Sequence, residues 1–254
     1  MKTEFLSEMS IGLADSDRNL SAASVRSAII KDLLVRENMD HKGLLKALLK
    51  RKSVFKGTFT LASGRISNYY LDCKRTTLDP EGAILTGYTI LELLKIKRIQ
   101  ADAIGGPTVG ADPIVTAVAA VSWLEHQLSP LQCTPLPAFF VREERKSHGR
   151  QNQIEGIDLN EGPKKVVIVD EVCTTGDSTI RALNAAREAG FKIVAVISLV
   201  DREEGGSDRL RKEYNYIPIF TAKELLEDDP EDARGSGTTS EDALERVGRN
   251  ARNA

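Results

Sequence analysis

The 254-residue chain has little cysteine and no long apolar run. Its three cysteines, Cys73, Cys133 and Cys173, lie far apart and form no CxxC pair, which argues against a disulfide framework and predicts reduced thiols. No stretch approaches the roughly 20 apolar residues that span a bilayer. The first residues also lack the basic and apolar regions of a signal peptide. We therefore predict a cytoplasmic protein with no membrane partner.

An excess of charge of one sign is also missing. The 35 Lys and Arg residues nearly balance the 37 Asp and Glu residues, for a net charge of -2. Proteins that bind nucleic acid generally carry a basic excess, so the composition predicts no nucleic-acid partner. The apolar content of 41% is ample for a buried core, and the length fits one domain with extensions.

Apolar periodicity divides the chain into alternating helices and strands. Helical spacing predicts helices at 21–38, 41–51, 80–98, 111–127 and 178–189. An extended segment at 54–74 contains a turn at 63–64, and strands are predicted at 101–105, 138–142, 165–170 and 193–200, the last of these being the last clear strand. Near-continuous apolar strands separated by helices indicate an α/β fold with a mainly parallel sheet covered on both faces.

The polarity of the two ends sets the predicted domain boundaries. Residues 1–40 form an N-terminal extension with one helix, and 41–226 form the globular domain. Residues 227–254 are polar and almost free of large apolar side chains, so we predict a disordered tail.

The stretch VVIVDEVCTTGDS, 166–178, carries the most specific chemistry. The carboxylates Asp170 and Glu171 follow an apolar strand, and the turn into the next helix offers hydroxyls and unpaired N–H groups around Gly176. Ligands of parallel sheets bind at the carboxyl ends of the strands, and such a turn suits a phosphate. Carboxylates beside a phosphate repel it unless the ligand also carries hydroxyl groups or a cation is held nearby. A ribose 5-phosphate satisfies both requirements.

Two other loops also suit an anionic ligand. GGPTVGADP, 105–113, places glycines and the N–H groups of Thr108 to Gly110 between a strand and a helix. The loop at 142–150 concentrates Arg142, Arg145, Lys146, His148 and Arg150 within nine residues.

Four stretches together resemble the type I phosphoribosyltransferases and, among them, the orotate phosphoribosyltransferase family. VVIVDEVCTTGDS is similar to the signature that binds 5-phosphoribosyl 1-pyrophosphate (PRPP). FTLASGRISNYYLDCK (59–74), VREERKSHGRQNQIEG (141–156) and VDREEG (200–205) resemble the hood, the mobile catalytic loop and the orotate-contacting segment. The stretches occur in the family's order, and the resemblance covers about 41–222.

The resemblance implies a fold and a reaction. The fold is a central, mainly parallel sheet flanked by helices, with a small N-terminal hood at 54–74. The reaction is transfer of ribose 5-phosphate from PRPP to orotate, with Mg²⁺ held mainly by PRPP, in a homodimer with shared active sites. Catalysis is assigned to Lys146, His148, Asp170 and Glu171. PRPP binding is assigned to Thr108, Arg142, Glu143, Lys146, His148, Asp170, Glu171, Val172, Cys173, Thr174, Thr175, Gly176, Asp177 and Ser178. Orotate binding is assigned to Tyr69, Tyr70, Thr174 and Arg202.

Three positions depart from the family pattern. Glu143 stands where many members have lysine, Ala62 stands where one branch has a hood lysine, and Glu171 replaces the usual aspartate. Two alternatives stay open from the residues: a phosphoribosyltransferase for another base, and a PRPP-sensing regulator of the same fold. Lys146, His148 and the phosphate turn are unaffected by the departures, which favours the enzyme.

Overall fold

A computed structural model describes residues 39–60, 64, 66–131, 133–143, 153–160 and 165–227. The predicted helix at 21–38, the loop residues Lys146 and His148, and the tail from 228 onward lie outside these ranges. Among the described residues, no helix is both long and apolar enough to cross a membrane.

The described part of the chain alternates helices and strands much as predicted. The helices are α1 (His41–Ser53), α2 (Lys74–Thr77), α3 (Pro80–Ile96), α4 (Asp112–Leu128), α5 (Asp177–Glu188), α6 (Gly206–Arg211) and α7 (Ala222–Leu226). The strands are β1 (Val54–Thr60), β2 (Ile66–Leu71), β3 (Ala103–Pro107), β4 (Ala138–Val141), β5 (Ile154–Glu155), β6 (Lys165–Cys173), β7 (Lys192–Asp201) and β8 (Tyr216–Thr221).

Six of these strands form one sheet in the order β5-β4-β3-β6-β7-β8. All neighbours are parallel except the short β5, which is antiparallel to β4. The prediction of a mainly parallel α/β sheet is therefore confirmed. The carboxyl ends of β3, β6 and β7 lie side by side, so the loops that follow them meet at one edge of the sheet.

Helices cover both faces of this sheet, and β6 shows why its sequence lacks apolar–polar alternation. Val167 and Val169 pack into a core with α1, α3 and α4, whereas Val166 and Ile168 pack into a second core with α5. All four side chains are fully buried. A strand buried on both faces needs apolar residues at successive positions.

Two sequence predictions about strands were wrong. The run 193–200 is not the last strand, because Tyr216–Thr221 forms β8 at the edge of the sheet beside β7. The proline at position 218 argued against a strand, because proline cannot donate a backbone hydrogen bond. Proline is tolerated in edge strands, and β8 is one. The strand predicted at 165–170 also continues to Cys173, because Val172 and Cys173 pair with β7.

Strands β1 and β2 form a separate antiparallel hairpin, which we call the hood hairpin. Its base is fixed to the helical layer by a buried hydrogen bond of 2.7 Å between the hydroxyls of Ser53 and Thr76. The Asp72 amide also donates to the Ser53 carbonyl oxygen over 2.9 Å. The chain then enters α2, whose first residue is Lys74.

Candidate active site

The acid pair lies inside β6 and is buried. Asp170 and Glu171 are each only 6% exposed, and the strand runs two residues beyond them before the turn begins. The sequence had placed both at the mouth of the strand. The neighbouring strand β7 also continues to Asp201. The carboxyl ends of the two strands therefore lie about two residues beyond the acid pair, and not directly after the apolar run.

Asp170 is held by three donors from its own surroundings. Its Oδ2 accepts from Ser178 Oγ over 2.8 Å and from Thr179 Oγ1 over 2.6 Å, and its Oδ1 accepts from the Glu171 amide. Burial raises the pKa of this carboxyl, although these donors offset part of the cost of burying its charge. The hydroxyl of Ser178, which the resemblance assigned to PRPP, is thus bonded to Asp170, as is the hydroxyl of Thr179.

Glu171 is paired with a lysine that comes from the end of the hood segment. Lys74 Nζ donates to Glu171 Oε2 over 2.5 Å, while Glu171 Oε1 is buried and has no hydrogen-bond partner among the described residues. Burial raises the pKa of Glu171, and the bond from Lys74 offsets part of that rise. A Cβ atom on Gly110 would lie 3.0 Å from Glu171 Oε2, so the acid also lines the loop after β3.

The turn after β6 leads into α5 through Gly176, whose φ of 79° lies in the left-handed region that glycine adopts without strain. Beside it, Thr175 Oγ1 donates to Asp177 Oδ2 over 2.8 Å. Arg209 Nη1 donates both to Asp177 Oδ1 and to the Thr175 carbonyl oxygen. The carboxylate on this predicted phosphate turn is therefore neutralised by a cation from α6.

Backbone hydrogen bonds from the segment after β7 hold the turn between β6 and α5 in place. The Gly206 amide donates to the Thr174 carbonyl oxygen over 3.0 Å, and the Arg202 amide donates to the Cys173 carbonyl oxygen over 2.9 Å. A Cβ atom on Gly206 would lie 2.6 Å from the Thr174 carbonyl oxygen. Sequence reasoning missed Gly206 and Arg209. The Gly-Gly pair after VDREE was the available signal of a close backbone approach.

Two members of the predicted PRPP-binding run have limited access to a ligand through their side chains. Cys173 is 1% exposed, and burial raises the pKa of its thiol to about 11. Val172 is half-buried and packs against the core beneath the sheet. A contribution of Cys173 to ligand binding would therefore come from its backbone groups.

The loop after β3 differs in detail from its prediction. The Thr108 amide, expected to meet an anionic ligand, donates to the Val141 carbonyl oxygen over 3.1 Å. Gly105 and Gly106 allow a close approach, but to the protein itself: added Cβ atoms would strike the Phe139 ring at 2.3 Å and the Val169 carbonyl oxygen at 2.0 Å. Of the three glycines, Gly110 is the one that adjoins the acid pair.

Two of the four residues predicted to bind the base come together beside a cavity. The Arg202 guanidinium lies over the Tyr69 ring at 4.8 Å, and its Nε donates to Glu204 over 2.9 Å. Both Tyr69 and Arg202 line an open cavity of about 400 Å³ between the hood hairpin and α7. Tyr70, next along β2, points to the opposite face of the hairpin. It packs against Phe59 and Phe55, so the two tyrosines do not flank one site.

The start of the basic loop lies at the end of β4, next to the short edge strand β5. The Arg142 amide donates to the Gln153 carbonyl oxygen, and Arg142 Nη1 lies 3.4 Å from Glu155. Glu143 is exposed, and its carboxylate lies 3.8 Å from Arg181 Nη2 on α5. Arg145 and Arg150, the two other arginines of this loop, lie outside the described ranges.

Comparison with known proteins identifies the class to which this fold and site belong. Residues 88–229 match the phosphoribosyl transferase domain family, and the chain is a phosphoribosyltransferase of that family. Within it, the chain belongs to the orotate phosphoribosyltransferases. It is 41% identical over 186 residues to the orotate phosphoribosyltransferase of Aquifex aeolicus, covering 72% of this chain and 94% of the relative.

Solved structures of orotate phosphoribosyltransferases also have a similar fold. The Mycobacterium tuberculosis H37Rv orotate phosphoribosyltransferase in complex with Fe(III) dicitrate aligns with a TM-score of 0.62 and 32% identity, covering 74% of this chain and 99% of that one. The same enzyme in complex with PRPP aligns with a TM-score of 0.58 and 30% identity, covering 73% and 98%. These relatives do not favour the two alternatives, a transferase for another base and a regulator.

Proposed function

We propose that this protein is an orotate phosphoribosyltransferase, which transfers ribose 5-phosphate from PRPP to orotate and releases pyrophosphate in pyrimidine (UMP) biosynthesis. The observation that carries the proposal is the convergence of the acid pair, the turn at 174–176 and the Arg202 segment at the carboxyl ends of β6 and β7. The relatives named orotate phosphoribosyltransferase support the proposal, and one of their solved structures is a complex with PRPP.

The turn and the acid pair are assigned to the ribose 5-phosphate half of PRPP. The N–H groups at the start of α5 bind the 5-phosphate, since the first turn of a helix leaves its donors unpaired. Glu171 Oε1, a buried oxygen with no hydrogen-bond partner in the described part of the chain, accepts from a ribose hydroxyl. The negative charge of the acids also stabilises the positive charge that develops on the ribose as its C1' bond to the pyrophosphate breaks.

Arg202 and Tyr69 are assigned to orotate. A planar guanidinium matches the carboxylate of the base, and the Tyr69 ring supplies an apolar face beside it. Glu204 holds the Nε side of Arg202, which fixes the plane of the guanidinium. Thr174, at the start of the turn, lies between this segment and the phosphate site, because its carbonyl oxygen accepts from Gly206.

The basic loop is assigned to the leaving pyrophosphate. Arg142, Lys146 and His148 supply positive charge, and Lys146 is proposed as the main catalytic cation because negative charge grows on the leaving group in the transition state. Lys146→Ala should lower kcat much more than it raises KM. The matched control is Lys97→Ala at the exposed end of α3. A raised KM with unchanged kcat would remove this role.

Magnesium fits the site as a companion of PRPP. Among the described residues there is no cluster of three or more His, Cys, Asp or Glu side chains that could hold a metal ion. Both oxygens of Asp170 accept hydrogen bonds from the protein. We propose that oxygens of PRPP would supply most of the ligands of the ion, which would offset the charge of the pyrophosphate.

We also propose a cytoplasmic homodimer in which the loop of one subunit completes the site of the other. Mixing Lys146→Ala with Thr175→Asp, after subunit exchange has been demonstrated, should restore part of the activity.

The test of the function itself is loss of orotate absorbance when the full chain is mixed with Mg²⁺, PRPP and orotate. Adenine, hypoxanthine and uracil serve as controls, and turnover of one of them without turnover of orotate would overturn the assignment.

A further inference from the structure

Lys74 joins the hood segment to the acid pair across 97 residues of sequence. Its ammonium approaches Glu171 Oε2 to 2.5 Å, where the glutamate side chain is 8% exposed and the lysine side chain 43% exposed. A cation is thus fixed on the solvent side of a buried carboxylate.

The same carboxylate oxygen adjoins the loop between β3 and α4. A Cβ atom on Gly110 would lie 3.0 Å from Glu171 Oε2 and 3.1 Å from Glu171 Cβ. The absence of a side chain at Gly110 therefore leaves the space in which Lys74, Glu171 and this loop meet. This is one of the two loops whose sequence suits an anionic ligand, and Gly110 is its glycine nearest the acid pair.

Not every N–H donor of the Lys74 ammonium is used by its bond to Glu171. A lysine side chain carries three N–H donors, and within the described ranges the structure pairs this one with Glu171 alone. Partial burial acts to lower the pKa of Lys74, but its hydrogen bond to Glu171 and the charge of Glu171 prevail and raise it. The group therefore stays charged at physiological pH.

We propose that Lys74 is a further substrate-binding residue, which donates to the pyrophosphate end of PRPP while Glu171 holds it in place. The inference rests on the proposed function, because it takes PRPP to be the ligand. The role of Glu171 toward Lys74 is positioning, and the contact with substrate is made by the ammonium. Sequence reasoning placed Lys74 only at the end of the hood and gave it no role.

The test uses inorganic pyrophosphate and ribose 5-phosphate as inhibitors of the full-length protein. Lys74→Met should raise the inhibition constant of pyrophosphate by about tenfold, the size expected for a lost charged hydrogen bond at a partly exposed site. The inhibition constant of ribose 5-phosphate should rise much less, because its phosphate is assigned to the turn on the other side of the acid pair and only its ribose is assigned to Glu171. Lys74→Arg should retain most of the affinity for pyrophosphate.

The matched control is Lys52→Met, which removes a 2.5 Å ion pair with Asp79 at the start of α3. It should leave both inhibition constants unchanged. Direct titration of PRPP without orotate measures the same loss, and it stays informative even if the base is not orotate. If Lys74→Met folds poorly, Lys74→Gln serves in its place.

Two results would overturn the proposal. One is an unchanged inhibition constant for pyrophosphate in both Lys74→Met and Lys74→Gln. The other is an equal rise for both inhibitors together with a lowered melting temperature, which would show that Lys74 only supports the folded structure around Glu171.

Discussion

Arg209 Nη1 lies 2.6 Å from Asp177 Oδ1 and 2.8 Å from the Thr175 carbonyl oxygen, and this places a cation on the turn assigned to the 5-phosphate. Both side chains of the ion pair are about half exposed, so the pair contributes little to the stability of the fold. Its consequence is electrostatic. Asp177 lies at the start of the helix that we assign to the 5-phosphate, where its charge would repel the ligand, and Arg209 offsets that charge.

Arg209→Met should therefore raise KM for PRPP several-fold, because it leaves the Asp177 carboxylate uncompensated beside the phosphate. Asp177→Asn combined with Arg209→Met should recover part of the loss, since the repelling charge is then gone as well. Steady-state KM for PRPP at low and high salt provides the measurement, and the loss should shrink as salt is raised.

Arg187→Met is the matched control for that experiment. Arg187 lies on the same helix as Asp177 and pairs with Glu213 at a comparable exposure, away from the turn. It should leave KM for PRPP unchanged. A double variant no better than Arg209→Met would mean that Asp177 does not face the phosphate.

Gly206→Ala should weaken PRPP binding by displacing the turn. Its Cβ atom would lie within 2.7 Å of backbone atoms of Thr174, Thr175 and Gly176, which cannot move as freely as a side-chain end. We expect KM for PRPP to rise at least several-fold. Gly190→Ala is the control: it is strained at φ 83° but meets no atom within 4 Å. It should cost about 1 kcal/mol of stability without changing KM. Equal KM values for the two variants would exclude this support of the turn.

Glu143→Lys should lower KM for PRPP several-fold at low salt. A carboxylate about 6 Å from one phosphate charge costs roughly 0.7 kcal/mol in water-like surroundings and about 3 kcal/mol at an effective dielectric constant of 20. The contact with Arg181, at 3.8 Å, offsets only part of that charge because both side chains are mostly exposed. KM for orotate should hardly change.

Arg181→Gln is the complementary variant, since it removes the partial compensation of Glu143 and should raise KM for PRPP. An unchanged or higher KM for PRPP in Glu143→Lys at low salt would show that this carboxylate does not face the pyrophosphate.

The three thiols should differ in their reactivity at pH 8. Only the thiolate reacts, and a thiol with a pKa of about 11, the value to which burial raises Cys173, is ionised in about one molecule in a thousand at that pH. Burial also raises the pKa of Cys73 strongly. Cys133, which is half-buried, should be labelled first in the native protein. All three should react at similar rates in denaturant, and rapid native labelling of Cys173 would contradict its buried position.

Sequence reasoning identified the elements of the site better than the contacts between them. The apolar run of β6 and the turn at Gly176 are local patterns, so the strand, the turn and the parallel sheet could be predicted from them. The hydrogen bonds from Ser178 and Thr179 to Asp170 could not be predicted, because a hydroxyl at this position can donate equally well to a bound phosphate or to a nearby carboxylate. The Lys74–Glu171 pair spans 97 residues and depends on how α2 packs against the sheet, which no local pattern records.

The separation of the hood hairpin from the main sheet gives the two halves of the site unequal stiffness. Among the described residues β1 pairs only with β2, and a two-stranded hairpin is barely stable on its own. Asp170 lies in a strand with partners on both sides, so its amide should exchange with deuterium only on global unfolding, whereas that of Tyr69 should exchange through local opening. We therefore expect the phosphoribosyl half of the proposed site to be preformed, and part of the free energy of orotate binding to be absorbed in ordering the hood hairpin.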